Sequence, residues 1–422
     1  MAKADSRLDT PSHGAAVSPS PDFDVVIIGA GLAGLSVAWW LRDRLSVCVL
    51  DRAAQIGAEA SSQNAGMLRR LGEDPYERVL AMRVHELLGS PPTEALSDPA
   101  ISRRSGAVLA LGDDPYHLHD AACGLRARGV EIEDLSRSRL GQVAPAMQDS
   151  PVCRAWFLPD ERVVDAHMLL CAMGRDLSVA GRVTVKTRAS VTGLVVEEGR
   201  AAGVWVDGQR VDAGHVVVAA GAWSRQLVAP LGLDRPLIPL RRSLVQTRTA
   251  GGATDAGHPW CWVDDVGVYV RPEGEGWLIS GCDEAIDLPA PRPGSRGPVS
   301  ELGRALALDK VARWFPSLAG LQPIGGWTGL RTFAPDRRPV LGEDPALPGL
   351  HWCAGLGGFG VTCGLAAGEA VAAWLTGESV PHLLHRAEVS AGRRFFSRWP
   401  VRPDGDLLRA RLVGIPQLDL GI

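Results

Sequence analysis

The chain has 422 residues, which predicts two domains with large buried cores. Its hydrophobic content of 46% and charged content of 22% are ordinary for a globular protein. The formal net charge of −4 gives no indication of nucleic-acid binding. The 8 cysteines include no C-x-x-C pair, so their spacing predicts neither a zinc site nor a disulfide framework.

Residues 1–21 are rich in Ser, Pro, Ala and Asp and lack the apolar core of a secretion signal. They are predicted to form a disordered leader, and the protein is expected to be cytoplasmic. The uncharged stretch 25–41 is interrupted by glycines, so a strand that turns into a helix explains it better than a membrane span.

That stretch carries the clearest motif in the chain. Residues 25–28 are a β-branched run that is typical of a strand buried on both faces. Gly29, Gly31 and Gly34 follow with the spacing G-x-G-x-x-G. The first glycine allows a tight turn, the second admits a pyrophosphate, and the third lets the next helix pack on its strand. The motif predicts a dinucleotide site, and the alternative is a strand–helix turn that binds no ligand.

A second strand and a polar loop extend the dinucleotide motif. The strand at 47–50 ends at Asp51, whose carboxylate is expected to accept hydrogen bonds from ribose hydroxyls. A loop of small hydroxyl and amide side chains then runs from 57 to 67. Its donors are predicted to reach a pyrophosphate or the edge of a flat ring, and a plain polar loop is the alternative. Arg69, just beyond the loop, is expected to be solvated.

Periodicity predicts both helices and strands through the middle of the chain. The predicted elements are helices at about 75–88, 121–128 and 300–314, and strands at 108–111, 183–185, 191–196, 203–206, 216–220, 245–247, 266–271 and 276–280. Glu198-Gly199 and Asp207-Gly208 predict hairpin turns. The strand at 216–220 ends in a small-residue turn, which is expected to close over the dinucleotide.

A further glycine cluster lies near the end of the organised region. Residues 350–360 combine a strand with a glycine loop, and a helix of small residues follows from Val361. The N-terminus of this helix would suit a delocalised anion such as the N1–C2=O region of a reduced flavin. A nicotinamide cofactor would not need this second glycine-flanked helix start, so a flavin dinucleotide is predicted.

Five motifs occur in the order found in one superfamily of flavoproteins. They are the G-x-G-x-x-G motif with Asp51, the loop 61–66, the strand and turn 216–223, the segment 329–342, and the loop 355–364. On these motifs the chain resembles the D-amino-acid oxidase superfamily. It is most similar to the branch that contains D-amino-acid dehydrogenase, glycine oxidase and sarcosine oxidase. The resemblance covers about residues 22–377.

The resemblance implies an α/β fold, α+β overall, in which a Rossmann-like FAD-binding domain is interleaved with a substrate domain. The substrate domain would be built on a mixed, largely antiparallel sheet. Residues 22–95, 150–235 and 321–380 would form the FAD-binding domain, and residues 96–149 and 236–320 the substrate domain. Residues 381–422 would form a C-terminal extension, in which a basic aromatic segment is expected to pack on the protein surface; peripheral membrane contact is the less favoured alternative.

The resemblance also implies site residues. Arg331 would hold the substrate carboxylate as a planar two-point donor, assisted by the hydroxyl of Tyr269. The alternatives are a structural salt bridge from Arg331 to Asp336 or Glu343, and a core aromatic at Tyr269. FAD would be bound by Gly29, Gly31, Leu32, Ala33, Gly34, Asp51, Arg52, Ser61, Ser62, Asn64, Ala65, Gly66, Met67, Val191, Ala220, Gly221, Trp223, Arg331, Gly357, Gly358, Phe359, Gly360, Val361 and Thr362.

Two departures from the sarcosine oxidase pattern change the expected flavin chemistry. Sarcosine oxidases attach FAD through a cysteine near the Arg331 region, but no cysteine lies between Cys282 and Cys353, so FAD is expected to bind non-covalently. They also place a lysine near the flavin, and the strand at 266–271 has none. Reduced flavin is therefore expected to react slowly with oxygen, and the electron acceptor stays open among a quinone, a carrier and oxygen.

The leading hypothesis is an FAD-dependent oxidoreductase that moves a hydride from the α carbon of an amino acid or secondary amine to flavin N5. The expected partners are a small substrate bearing a carboxylate and an electron acceptor, without nucleic acid or a metal. One alternative is a 2-hydroxy acid dehydrogenase on the same scaffold. Another is a non-catalytic flavin-binding subunit that relays electrons, but such a subunit would need no carboxylate anchor.

Overall fold

The computed structural model describes residues 21–233, 235–249, 257–289 and 298–378. The α-helices in these ranges are α1 Leu32–Leu41, α2 Pro75–Gly89, α3 His119–Arg126, α4 Arg137–Val143, α5 Ala166–Ala180, α6 Ser224–Val228, α7 Glu301–Trp314 and α8 Gly360–Leu375. The strands are β1 Phe23–Ile28, β2 Val47–Leu50, β3 Met67–Leu68, β4 Ser102–Arg104, β5 Ala107–Leu111, β6 Glu133–Asp134, β7 Arg154–Leu158, β8 Arg162–Val164, β9 Val183–Lys186, β10 Val191–Glu197, β11 Arg200–Val206, β12 Gln209–Val218, β13 Ile238–Arg248, β14 Trp260–Val263, β15 Val268–Glu273, β16 Gly276–Ser280, β17 Ala285–Ile286, β18 Gln322–Phe333, β19 Val340–Glu343 and β20 Leu350–Ala354.

The first sheet is organised around β1. Its strand order is β10-β11-β12-β1-β2-β9, and β20 pairs with both β12 and β19. β1 is parallel to β2 and β12, and β2 is parallel to β9, as expected for a Rossmann-like unit. Val25, Val26 and Ile27 are fully buried because the sheet is covered on both faces. Helices α1 and α8 pack closely on one face, where a Cβ added at Gly368 would collide with Ser36.

The second sheet has nine strands in the order β17-β13-β16-β15-β14-β5-β7-β6, with β18 beside β13. All its pairs are antiparallel except β14 with β5. The predicted fold class, with a mixed and largely antiparallel second sheet, is confirmed. β7 and β18 hydrogen-bond into this sheet, although the predicted domain boundaries give them to the FAD-binding unit. The division into domains therefore stays a prediction.

Local turn and cap signals in the sequence correspond to the structure. The predicted hairpin turns have positive φ angles at Glu198 (49°), Gly199 (73°), Asp207 (49°) and Gly208 (81°), the geometry of type I′ hairpins. The side chain of Asp74 caps α2 by accepting hydrogen bonds from the first turn, which places the helix start at the predicted residue.

Several predictions concern residues that the structure does not describe. Residues 1–20 of the predicted leader and the predicted extension 381–422 lie outside the described ranges. Within the described ranges, no helix is both long enough and apolar enough to span a membrane. The cytoplasmic location stays a prediction.

Candidate cofactor and substrate site

A cavity of about 2730 Å³ opens between the two sheets. Its walls are formed by the ends of β1 and β2, the N-termini of α1 and α8, and strands β13, β15 and β18. The predicted site residues on its walls are Gly29, Gly31, Leu32, Ala33, Asp51, Arg52, Ser61, Asn64, Ala65, Gly66, Met67, Val191, Ala220, Gly221, Trp223, Tyr269, Arg331, Gly357, Gly358, Phe359, Gly360, Val361 and Thr362.

Two predicted residues, Gly34 and Ser62, do not line the cavity. A Cβ at Gly34 would overlap the carbonyl oxygen of Gly29, so this glycine permits close packing of the helix on the turn. Ser62 is exposed, and its hydroxyl donates to the carbonyls of Ala58 (3.1 Å) and Glu59 (3.0 Å). It stabilises the polar loop rather than facing a ligand.

The N-terminus of α1 presents free donors to the cavity. The N-cap residue Gly31 provides no side-chain cap. The Leu32 N–H donates to Ser61 Oγ at 2.9 Å, whereas the N–H groups of Ala33, which lines the cavity, and of Gly34, which does not, have no acceptor among the described residues. Free N–H groups and the positive end of the helix dipole make this terminus suitable for a pyrophosphate.

Asp51 lies at the end of β2, on the wall next to the α1 turn. Its Oδ2 accepts a hydrogen bond from the Ala30 N–H at 2.7 Å, and its Oδ1 accepts one from the Ala53 N–H at 2.7 Å. These bonds hold the carboxylate at the mouth of the turn, and its remaining lone pairs can accept from hydroxyl groups. The guanidinium of Arg52 stacks on Trp223 at 4.0 Å, which orders the wall beyond it.

The N-terminus of α8 is a second donor site. The N–H groups of Gly360, Val361 and Thr362 have no backbone acceptor among the described residues, and α8 has no side-chain cap. A Cβ at Gly360 would meet nothing within 4 Å because the residue faces open space. Gly357 has φ +56°, and a Cβ there would lie 2.5 Å from the Phe333 ring. Two uncapped helix starts and one carboxylate on a single wall fit FAD, which carries a pyrophosphate, a ribose and an isoalloxazine that becomes anionic on reduction.

Arg331 projects from β18 onto the cavity wall. Its guanidinium forms no hydrogen bond or ion pair with any residue in the described ranges. Asp336 accepts instead from the Arg338 N–H at 3.1 Å, and Glu343 accepts from the Gly349 N–H at 2.9 Å. Burial lowers the pKa of Arg331 from its ordinary value, but an arginine stays charged at any physiological pH. The wall therefore carries a cation whose counter-ion the described residues do not provide.

Tyr269, on β15, faces the same space and has 2% of its surface exposed. Its ring packs at 4.9 Å from Trp262, which fixes the direction of the phenol. Burial raises the pKa of Tyr269, an effect that the nearby Arg331 opposes. The hydroxyl is accordingly protonated at neutral pH and can donate a hydrogen bond.

The model of the family described as DAO: FAD dependent oxidoreductase matches residues 24–374. The chain belongs to this family. It is 25% identical to the mouse mitochondrial pyruvate dehydrogenase phosphatase regulatory subunit over 363 residues, which cover 83% of the chain but only 41% of that protein. It is 26% identical to glycine oxidase from Pseudomonas aeruginosa over 338 residues, which cover 77% of the chain and 87% of the relative.

The fold agrees with this membership. The crystal structure of L-proline dehydrogenase from P. horikoshii aligns with a TM-score of 0.75 and 20% identity, covering 89% of this chain and 98% of that one. The resemblance drawn from the five motifs is thus confirmed, together with FAD as the cofactor and the classification as an oxidoreductase.

The structure corrects the expectation for Arg69. Its side chain is 6% exposed and forms an ion pair with Asp264 rather than lying in solvent. The guanidinium lies between the rings of Trp262 (4.3 Å) and Phe359 (4.8 Å), and so joins the second sheet to the turn before α8. Burial would raise the pKa of Asp264, but Arg69 and His117 together hold it below its ordinary value. This ion pair could not be predicted from the sequence, because residues 69 and 264 are far apart along the chain and only the fold brings them together.

A lysine reaches the cavity from α7, a helix that was predicted but was not assigned to the site. The strand region at 266–271 has none, but Lys310 of α7 donates from Nζ to the carbonyls of Val266 (2.7 Å), Gly267 (3.0 Å) and Gly281 (2.9 Å). Lys310 also lines the cavity. Three carbonyl acceptors satisfy the three donors of an ammonium, so Lys310 fixes the turn that leads into β15.

Glu77, in the first turn of α2, was also not predicted as a site residue. It lines the cavity, has 8% of its surface exposed, and its carboxyl has no hydrogen-bond partner among the described residues. Burial raises its pKa to about 8, although the nearby Arg69 lowers it. The carboxyl is therefore mostly protonated at pH 7.

Proposed function

We propose that this chain oxidises an amino acid or a secondary amine that bears a carboxylate, in the manner of a D-amino-acid dehydrogenase. Bound FAD supplies the hydride acceptor, which is flavin N5. The observation that carries the proposal is Arg331, a cation on the cavity wall without a counter-ion among the described residues. The names of the glycine oxidase and L-proline dehydrogenase relatives indicate substrates of this kind, one a primary and the other a secondary amine.

The protein side chains bind and orient the substrate. Arg331 would take the carboxylate in a two-point contact, and the protonated hydroxyl of Tyr269 would donate to the same group. Fixing the carboxylate at two points determines which bond of the α carbon faces the cofactor wall. The partly buried ring of Trp262 and the buried ring of Tyr269 form an aromatic wall that limits water at this end of the cavity. No side chain is assigned as a base, because an amine that enters neutral needs none.

We infer that FAD is held without a covalent bond. Two cysteines, Cys282 and Cys353, lie on the cavity wall. Burial raises the pKa of the Cys282 thiol, and raises that of Cys353 to about 12. Attachment requires a thiolate, and a raised pKa keeps these groups as thiols.

The same anchor would accept a 2-hydroxy acid, which is the second enzymatic candidate. A non-catalytic electron relay is the third, and the mouse relative is named a regulatory subunit. The relay is disfavoured because a protein that only passes electrons does not require an uncompensated arginine in the cavity. The electron acceptor is expected to be a quinone, a carrier or oxygen.

The test is anaerobic bleaching of the flavin absorbance by a panel of compounds. The panel contains D- and L-amino acids, N-methyl amino acids and 2-hydroxy acids, with the methyl ester of each active compound as a control. We expect an amino acid or secondary amine to bleach the flavin, and its ester to react far more slowly. Bleaching by hydroxy acids alone would establish the second candidate. A panel in which nothing bleaches the flavin would support the relay.

A further inference from the structure

A second arginine faces the same end of the cavity as Arg331. In the antiparallel pairing of β13 with β18, Arg331 lies opposite Leu240, and Arg242 lies opposite Gly329. Leu240 and Arg242 are two residues apart on one strand, so their side chains project from the same face of the sheet. Arg331 and Arg242 are consequently diagonal neighbours on one face, a relation in which backbone positions lie about 7–8 Å apart. Both arginines line the cavity.

The hydrogen bonds of Arg242 leave part of its guanidinium free. Its Nη2 donates to Glu284 Oε1 at 2.8 Å. Its Nε is buried without a partner, and Nη1 has no acceptor among the described residues. Glu284 Oε1 also accepts from Arg337 Nη2 at 2.5 Å, so one carboxylate oxygen is shared by two arginines. The single negative charge of Glu284 cannot neutralise both.

Cations outnumber carboxylates in the cluster of charged groups around Arg242. Lys310 is bound by three carbonyl oxygens and by no carboxylate. Asp283 is engaged by the N–H (2.7 Å) and hydroxyl (2.8 Å) of Ser243. Asp283 keeps its charge and acts on Arg242, Lys310 and Arg331. In this cluster Arg331, Arg242, Arg337 and Lys310 contribute four positive charges, and Glu284 and Asp283 contribute two negative ones, which leaves an excess that one monocarboxylate does not balance. A ligand that restores charge balance here carries a second anionic group.

We propose that the substrate is a dicarboxylate, with Arg331 binding the carboxylate next to the amine and Arg242 binding a second carboxylate. Amino acids with short acidic side chains and N-carboxyalkyl amines have this chemistry. The inference rests on the proposed function, because it takes Arg331 as the first anchor. The competing explanation is that Arg242 only positions Glu284, in which case a second carboxylate would bring no gain.

Binding of unreactive probes tests the inference without catalysis. Isothermal titration of the FAD-loaded enzyme compares succinate with butyrate, which has the same number of carbons and one carboxylate fewer. We expect succinate to bind at least tenfold more tightly than butyrate. Equal affinities would overturn the second anchor while leaving the first intact. If neither probe binds, the Arg331 anchor fails, and the proposed function fails with it.

Variants test whether Arg242 causes the difference in affinity between succinate and butyrate. Arg242→Gln should weaken succinate binding at least tenfold and change butyrate binding less than threefold, because butyrate needs only Arg331. A variant that keeps the wild-type ratio would overturn the inference. If Arg242→Gln does not fold, Glu284→Gln replaces it. Removing this counter-charge should raise the preference for succinate over butyrate, and an unchanged or lower preference would likewise overturn the inference.

Discussion

Replacing Arg331 by methionine should lower activity and raise stability at the same time. Methionine keeps the length and much of the volume of the side chain but removes the charge. Losing one partner of a buried charge-assisted pair costs about 2–5 kcal/mol in the complex with substrate. We therefore expect kcat/KM for the best substrate to fall by roughly 30-fold to several thousandfold. Arg331→Lys should recover only part of the loss, since an ammonium cannot copy the planar two-point contact.

The stability gain follows from the missing counter-ion. A cation held away from bulk water without a partner destabilises the folded protein, and an apolar side chain of similar volume does not. The free energy of unfolding of the Arg331→Met variant should increase by about 1–2 kcal/mol. An ion-paired arginine behaves in the opposite way, because its loss leaves a buried carboxylate unpaired. Arg235 offers the matched control: it binds Asp344 with two hydrogen bonds of 2.8 and 2.9 Å, so Arg235→Met should destabilise the protein.

Two assays measure the changes in activity and stability of the Arg331→Met variant. Steady-state kinetics with the best substrate and its methyl ester measure the anchor, and the ester should react alike with wild type and variant. Urea unfolding of FAD-loaded protein measures stability, with FAD content determined from absorbance. Loss of both activity and stability in Arg331→Met would mean that Arg331 forms a structural ion pair rather than a substrate anchor. Near-normal kcat/KM, or a loss explained by missing FAD, would also refute the assignment.

Three further outcomes are expected. Gly31→Ala should weaken FAD binding at least tenfold with little change in apoprotein stability, since the backbone there is extended and a Cβ meets only Ser61 Oγ, at 3.2 Å. Gly29→Ala should instead impair folding, because φ at residue 29 is +110° and a Cβ there would lie 2.5 Å from a carbonyl oxygen. Acid precipitation should release FAD into the supernatant, and flavin retained in the pellet would contradict non-covalent binding. Because the folded pKa of Glu77, about 8, lies above its ordinary value of 4.5, the stability it contributes is complete below pH 4.5 and lost as the pH rises through 8, up to about 5 kcal/mol. Glu77→Gln should accordingly raise Tm at pH 9 and change it little at pH 5, whereas Glu369→Gln, which breaks bonds of 2.7 and 2.8 Å to Arg83, should lower Tm at both.

Sequence reasoning succeeded where the physical signal is local. The glycine spacing at 29–34 and the hairpin dipeptides determine backbone conformations within a few residues, and the structure has these turns where they were predicted. β18 contains Gly325, Gly326 and Gly329, which weaken a strand pattern, so its full extent could not be predicted from the local sequence. Its register is set by pairing along almost its whole length with β13, a strand far away in sequence.

The non-local part of the site could not be predicted from local pattern. Arg69 and Asp264 are 195 residues apart, and nothing near either residue indicates the other. Lys310 lies on a helix whose sequence gives no reason to direct a lysine into a cavity. Ser62 shows the converse error, since a favourable residue type in the right loop bonds to the loop's own carbonyls. Residue type identified the loop, but the fold decided which side chains face the ligand.

The arginines at the proposed anchors differ in their ionic partners from the buried carboxylates of the scaffold. Outside the cavity, the buried carboxylates Glu161 and Glu369 have close partners, Arg70 at 3.1 Å and Arg83 at 2.7 Å. On the cavity walls, Arg331 is unpaired and Arg242 shares its carboxylate with another arginine. Folding alone does not favour such arrangements, because unpaired buried charges oppose stability. Their concentration on one wall is explained if a ligand supplies the missing anions, and this links the carboxylate anchor to the proposed second carboxylate.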